Sequence, residues 1–237
     1  MSTPMKEWLP EVKKRYSKWP ITDLAHREFH RDPCRAQHVD SSRFFSPADG
    51  IIIGQGRFAP EGDLIETKGT HCTLSELMAP WEIDTPCLVI GIFLTFWDVH
   101  RIRTPSAGVL TNQFVEPIKT CNAPMLFEES SILKKGTISK ADMKYMASNG
   151  RVLCRISQPG YTYYMVLLAD SDIDRILCYD HRKHAPMMQC QRSHYVTYGS
   201  QCNLILPLDS RYKFKTLCDV TDHVEAGRDA LISIKVR

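Results

Sequence analysis

From Phe44 onward the chain alternates turn residues with short apolar, β-branched runs, and this ladder constrains the fold more than any other feature. The runs are Ile51 to Ile53, Cys87 to Phe96, Gly108 to Leu110, Val152 to Ile156, Tyr161 to Leu168 and Asn203 to Leu206. Segments of this length and residue type, bounded by turn residues, read as strands. They predict a mainly β (α+β) fold built as a single β-rich domain. Helical interruptions are brief: Leu74 to Met78 after Thr73, and Lys140 to Ala147 behind a Ser139 cap. Residues 116 to 138 carry the least pattern and are expected to form a long loop.

Ahead of this body, residues 1 to 30 read as an N-terminal helical segment, leaving 31 to 237 as the main domain. Trp8, Leu9, Val12, Tyr16 and Trp19 recur near helical spacing against Lys13, Lys14, Arg15 and Lys18. That is a short basic amphipathic helix. Pro10 suits only a first turn, which sets the expected helix start near Leu9. The apolar face either packs on the chain's own domain, the expected case, or rests peripherally on anionic lipid.

Composition excludes several classes. With 237 residues and 43% hydrophobic content the chain can bury a sizeable core. Thirty basic and 27 acidic residues leave a formal charge of +3, too little for a global field, so no nucleic-acid partner is expected. Nine cysteines without paired C-x-x-C spacing read as reduced thiols in a cytoplasmic protein. The N-terminus lacks the apolar core of a signal peptide, and the longest apolar stretch, Cys87 to Trp97, falls short of the ~20 residues of a membrane span.

Gly199-Ser200 is a glycine corner that feeds the apolar run ending at Leu206, and alone it is an ordinary turn. Three further segments give it context. Phe45-Ser46-Pro47-Ala48-Asp49-Gly50 precedes the Ile51 to Ile53 strand; Lys68-Gly69 is followed by Leu74, Leu77 and Met78; and Phe96-Trp97-Asp98-Val99-His100-Arg101-Ile102-Arg103-Thr104-Pro105 lies between them and the C-terminal third. In order and spacing the chain resembles the phosphatidylserine decarboxylases over roughly residues 26 to 237. Weaker echoes are Phe29 to Arg35, Asn149-Gly150-Arg151 and Gly227.

The resemblance implies a self-processing, pyruvoyl-dependent decarboxylase. Removing the carboxylate of an α-amino acid leaves a carbanion, so an electron sink must be attached through the amine. A pyruvoyl group made from Ser200 supplies one by forming a Schiff base with the substrate. Its formation begins when the Ser200 hydroxyl attacks the Gly199 carbonyl to give an ester. β-Elimination and hydrolysis then leave a free Gly199 carboxylate and chains 1 to 199 and 200 to 237, which stay together by strand pairing. By the same resemblance Asp49 is the carboxylate that supports cleavage, and His100 handles the substrate and its proton. Read without it, Asp49 is an Asp-Gly turn and His100 a half-buried histidine satisfied by a carbonyl. The substrate is an amino-bearing carboxylate, either phosphatidylserine or a soluble amino acid.

Arg103 departs from the pattern, because it stands where the family has a second histidine. A guanidinium stays protonated and cannot take the serine proton. It can pair with Asp49 or stabilise an oxyanion, and the base is then His100 or another histidine such as His71 or His194. Gln191-Arg192-Ser193-His194 also departs from the family's glycine-glutamate-rich approach. Arg101, Arg103 and Lys68 are candidates for an anion pocket or ordinary surface charges. His181 and His184 read as solvated loop residues and Cys202 as a strand residue. The alternative function is a non-processing binding protein on the same scaffold.

Overall fold

A computed structural model describes residues 2–67, 70–117, 145–169, 176–196 and 200–237. In chain order the first elements are β1 (Thr3–Pro4), α1 (Met5–Tyr16) and α2 (Ile21–Asp23), which runs on into a π-helical turn at Leu24–Phe29. Next come β2 (Arg43–Phe45), β3 (Gly50–Phe58), β4 (Asp63–Thr67), β5 (Thr70–Thr73), α3 (Leu74–Met78), β6 (Cys87–Leu94), β7 (Arg101–Arg103) and β8 (Gly108–Val115). After α4 (Tyr145–Ser148) follow β9 (Arg151–Gln158), β10 (Tyr161–Ala169), β11 (Ile176–Cys178), β12 (Ala185–Met187) and β13 (Arg192–Val196). The chain closes with β14 (Ser200–Pro207), β15 (Tyr212–Thr216), β16 (Asp222–Val224) and β17 (Ala230–Val236).

The framework is a nine-stranded sheet of order β1-β16-β3-β6-β14-β10-β9-β8-β12, antiparallel at every pairing. Its central strands are apolar almost without interruption because both faces are buried; all eight residues of β6 lie inside. Alternate side chains therefore serve two cores. Ile90, Ile92, Leu94, Cys202, Leu204 and Leu206 join one cluster, together with Ile102 and Val196 of the small sheet β11-β13-β7 and Phe44 and Ile232 of the sheet β15-β17-β2. Ile51, Ile53, Val89, Phe93 and Ile205 join the other, which is covered by Met5 and Leu9 of α1 and by Leu74, Leu77 and Met78 of α3. The mainly β fold expected from the ladder of apolar runs is the one observed.

Two helices can be compared with expectation. Thr73 caps α3 in a full capping box: its hydroxyl accepts from the Glu76 N–H while the Glu76 carboxylate accepts from the Thr73 N–H. Helix α1 begins at Met5 rather than near Leu9, so Pro10 lies inside it and not in the first turn. Burying Met5, Leu9, Val12 and Tyr16 along one face outweighs the backbone hydrogen bond that an exposed proline forgoes. That face is spent on the chain's own core, while Lys6, Lys13, Lys14, Arg15 and Lys18 remain exposed. All but the first two residues of the loop expected at 116 to 138 and most of the helix expected at Lys140 to Ala147 lie outside the described residues; α4 covers the end of the latter.

Candidate active site

Four strands end together at one corner of the large sheet. Ser200, the first residue of β14, pairs with Ala169 of β10 on one side and Leu94 of β6 on the other. One step away Phe93 pairs with Ile51 of β3, so Asp49 emerges just beyond the same corner. The chain turns into β3 at Gly50, whose φ of 153° and close approach to the Phe93 carbonyl, 2.2 Å from where a Cβ would stand, exclude other residues.

Past Leu94 the chain makes a tight turn from Thr95 to Asp98 and reaches His100 before entering β7 of the small sheet. Val196, at the end of β13, donates its N–H to the His100 carbonyl at 3.1 Å. Four residue steps separate Val196 from Ser200, which bounds their Cα separation at about 14 Å. His100 is thus hydrogen-bonded to the last described residue before Ser200. Gly199, on the other side of the candidate bond, lies outside the described residues, as do Lys68 and Gly69.

Ser200 is buried, and by alternation it shares a face with Cys202, Leu204 and Leu206. Among the described residues its Oγ has no hydrogen-bond partner. His100 is also fully buried. Its Nδ1 lies 3.0 Å from the Asp98 carbonyl, and because a carbonyl only accepts, Nδ1 carries the proton. That leaves Nε2 with a lone pair, and among the described residues it too is buried without a partner. Burial pushes the His100 pKa down to about 4, against the smaller upward pull of the Asp98 carbonyl and carboxylate, so the ring is neutral at pH 7. Phe29 stacks on it with centroids 3.7 Å apart.

Asp49 is held on three sides. Arg35 donates to both carboxylate oxygens, at 2.5 and 2.7 Å, and the Ala226 N–H donates to Oδ1 at 2.7 Å. Both charged side chains are buried. The preceding residues are laced to the same C-terminal loop: Ser46 N–H donates to the Asp229 carbonyl at 2.7 Å and Gly227 N–H to the Ser46 carbonyl at 2.9 Å. Arg103 does not pair with Asp49. Its backbone N–H donates to the Pro47 carbonyl, but its guanidinium turns to the Cys190 carbonyl at 2.8 Å. Burial and the charges of Arg192 and Arg35 lower its pKa, and Arg35 already fills the carboxylate fork.

Of the other histidines considered, His194 is fully buried in the small sheet, with Nδ1 3.0 Å from the Ser193 hydroxyl and Nε2 3.9 Å from the Cys154 thiol. The His71 side chain is outside the described set. His181 and His184 are exposed, and Cys202 is wholly buried. Arg101 lies over the Tyr195 ring at 4.0 Å.

A buried pair that the sequence did not announce sits beside His100. His223 Nε2 meets Asp98 Oδ1 at 2.7 Å, while Thr95 donates to Asp98 Oδ2 from its N–H at 2.8 Å and its hydroxyl at 2.7 Å. Burial opposes ionisation of both partners, yet their mutual attraction and the hydrogen bonds prevail: the His223 pKa is raised and that of Asp98 lowered. Trp8 of α1 stacks on His223 with centroids 4.2 Å apart.

These histidines predict a pH dependence. Burial lowers His100 to about 4 and His194 to about 3. Between those values and the ordinary 6.5, the unfolded chain binds protons that the folded chain refuses, so stability falls as pH falls. From pH 7 to pH 5 each is expected to cost about 2 kcal/mol. His223 has the opposite sign: its contribution is complete below 6.5 and is lost as pH rises through its raised folded value. Denaturant titrations at pH 7, 6 and 5 check this, with His194→Gln expected to remove about half of the drop.

The family model described as phosphatidylserine decarboxylase matches residues 22–231. The phosphatidylserine decarboxylase proenzyme of Ralstonia pickettii is 26% identical over 195 residues, covering 81% of this chain and 74% of that protein. That of Burkholderia multivorans is 28% identical over 186 residues, 78% of this chain and 70% of the relative. That of Erythrobacter litoralis is 33% identical over 111 residues, but this match spans only 45% of the chain and 41% of the relative. With the family match running across nearly all of the folded body, the chain belongs to the phosphatidylserine decarboxylase family.

Proposed function

We propose that the chain is a self-processing, pyruvoyl-dependent carboxy-lyase that cuts itself between Gly199 and Ser200. The observation that carries this reading is two buried polar atoms without partners among the described residues, on segments that leave one sheet corner: the Ser200 hydroxyl and the Nε2 of a neutral His100. Unpaired buried polar atoms cost about 1–3 kcal/mol each, so each calls for an explanation, and proton transfer between these two supplies one. His100 Nε2 takes the hydroxyl proton as Ser200 Oγ attacks the Gly199 carbonyl carbon and passes it to the Ser200 nitrogen as the C–N bond breaks, so one histidine serves where the family has two. β-Elimination then expels the Gly199 carboxylate, and hydrolysis of the resulting dehydroalanine releases ammonia. Arg103, turned away to Cys190, takes no part as a base. Asp49 acts through the fixed corner that Arg35 and Ala226 build around it.

Residue 200 suits a prosthetic group. The serine is rigidly held in a central strand, and its side chain is buried on the face of Cys202, Leu204 and Leu206, where its hydroxyl has no competing bond among the described residues. When formed there, a pyruvoyl group supplies the electron sink for loss of the substrate carboxylate. The fold also supports retention of both products, since chain 200–237 contributes β14 to the middle of the large sheet, between β6 and β10. His100 Nε2 takes up a proton released from the substrate's ammonium group and returns it to the decarboxylated carbon.

The substrate is an amino-bearing carboxylate. Phosphatidylserine is the reading that the family favours, with the exposed lysines of α1 available to an anionic membrane surface; a free amino acid is the other source of the same chemistry. Intact mass spectrometry of the purified protein tests the proposal. Two masses, for 1–199 and for 200–237 blocked by a pyruvoyl group, are expected. Carbon dioxide release from phosphatidylserine vesicles or from free serine then separates the two substrates. A single unmodified chain after prolonged incubation across pH overturns the reading and leaves a binding protein on this scaffold.

A further inference from the structure

We propose that Asp98 and His223 form a positioning pair that fixes the tautomer of His100 and keeps its Nε2 lone pair free to accept the Ser200 proton. The proposal rests on the self-cleavage reading above. Its geometry is a continuous relay. Asp98 is tied at Oδ1 by His223 and at Oδ2 by two donors from Thr95, and its N–H returns to the Thr95 carbonyl at 2.9 Å. The turn is thereby locked, and its carbonyl is presented to His100 Nδ1 at 3.0 Å. Remove the His223 donor and, among the described residues, Oδ1 of the buried Asp98 carboxylate is left unpaired, with only the two Thr95 bonds at Oδ2 to hold the turn.

Charge points the same way. A buried carboxylate two residues from His100 favours an imidazolium, which could not accept a proton. His223 supplies the compensating cation. The other charges acting on His100 are Arg31 and His30, and those acting on His223 besides Asp98 are Asp49 and Glu225. Trp8, stacked on His223 and edge-on to Trp97 at 6.0 Å, covers the pair with the N-terminal helix. His223 itself faces the core opposite to that of Ser200, since it pairs with Ile51, so it acts through Asp98 and not by touching the serine.

Two variants of the full chain separate positioning from simple structural support. His223→Phe keeps a ring beneath Trp8 but has no donor, whereas His223→Gln keeps a donor without the ring. Long-range ¹H–¹⁵N spectra of histidine-labelled protein report which His100 nitrogen bears the proton, and a mass time course reports cleavage. In the parent, His100 is expected to be neutral with its proton on Nδ1. In His223→Phe, His100 gains Nε2 or imidazolium character and cleavage slows about 10- to 100-fold. In His223→Gln the Nδ1 tautomer returns, with cleavage within about threefold of the parent. A parent His100 protonated on Nε2 overturns the proposal. So does a folded His223→Phe with unchanged His100 signals and rate, or, where that variant does not fold, a folded His223→Gln that has lost the Nδ1 tautomer. If the parent itself never cleaves, the self-cleavage reading fails while the spectra still judge the positioning pair.

Discussion

Ser200→Ala is expected to remain one 237-residue chain under every condition in which the parent separates into 1–199 and 200–237, and to be no less stable than the uncut parent. The first half follows from mechanism. Without the hydroxyl no atom at position 200 can attack the Gly199 carbonyl, so the loss is complete, whereas loss of a general base costs about 10²–10⁴-fold. The second half follows from packing. The Ser200 Oγ is buried without a partner among the described residues, so replacing it by a hydrogen removes a desolvated polar atom and leaves a methyl group among Leu94, Ala169 and Cys202. A gain of about 1 kcal/mol is the expected size. Denaturant unfolding beside the mass time course distinguishes this from a trivial failure to fold. A Ser200→Ala chain that still yields the two fragments places the cut elsewhere; one that loses several kcal/mol shows that the hydroxyl has a structural partner.

The strands are legible in the sequence because they are buried on both faces, which turns a weak alternating signal into unbroken apolar runs. The run from Cys87 to Phe96 reads two residues too long. The strand stops at Leu94 because Thr95 gives its N–H to the Asp98 carboxylate, and a side chain's capture of a backbone donor leaves no trace in hydropathy. Pro10 misplaces the start of α1 for a related reason: a local rule about proline yields to burial of Met5 at the far end of the helix. Strand order, and the separation of β7 into a small sheet, depend on pairings between distant segments that no local pattern carries.

At the site the same division holds. Motif order leads to Asp49, His100 and Ser200, which lie on segments that enter or leave one corner of the large sheet; it does not lead to their partners. Asp49 takes Arg35, which sits in the weak echo from Phe29 to Arg35, and not Arg103 from the stronger motif. Asp98 lies inside a quoted motif, yet its partner His223 is 125 residues away in a short strand with nothing to mark it. Charged groups in a protein choose partners by burial and geometry, and sequence distance does not record either.

Arg35→Met is expected to destabilise the chain by about 3–5 kcal/mol, because it strands the buried Asp49 carboxylate with only the Ala226 N–H as a partner among the described residues. Arg35→Lys should recover part of the loss, since an ammonium restores charge but cannot span both oxygens as the guanidinium does. Removing both charges in Arg35→Met/Asp49→Leu should recover most of it, which is the behaviour of an ion pair whose desolvation nearly cancels its attraction. The measurement belongs in the Ser200→Ala background, where cutting cannot break two-state unfolding, and a double-mutant cycle then gives the coupling directly. The cycle bears on function when the same pair is removed from the parent. If the double variant folds well yet cleaves about 10²-fold more slowly, Asp49 contributes negative charge to the step at Ser200. If it cleaves at the parent's rate, the motif's aspartate in this chain serves to hold the Ser46 to Gly50 corner, and His100 is left as the one group that must take the serine's proton.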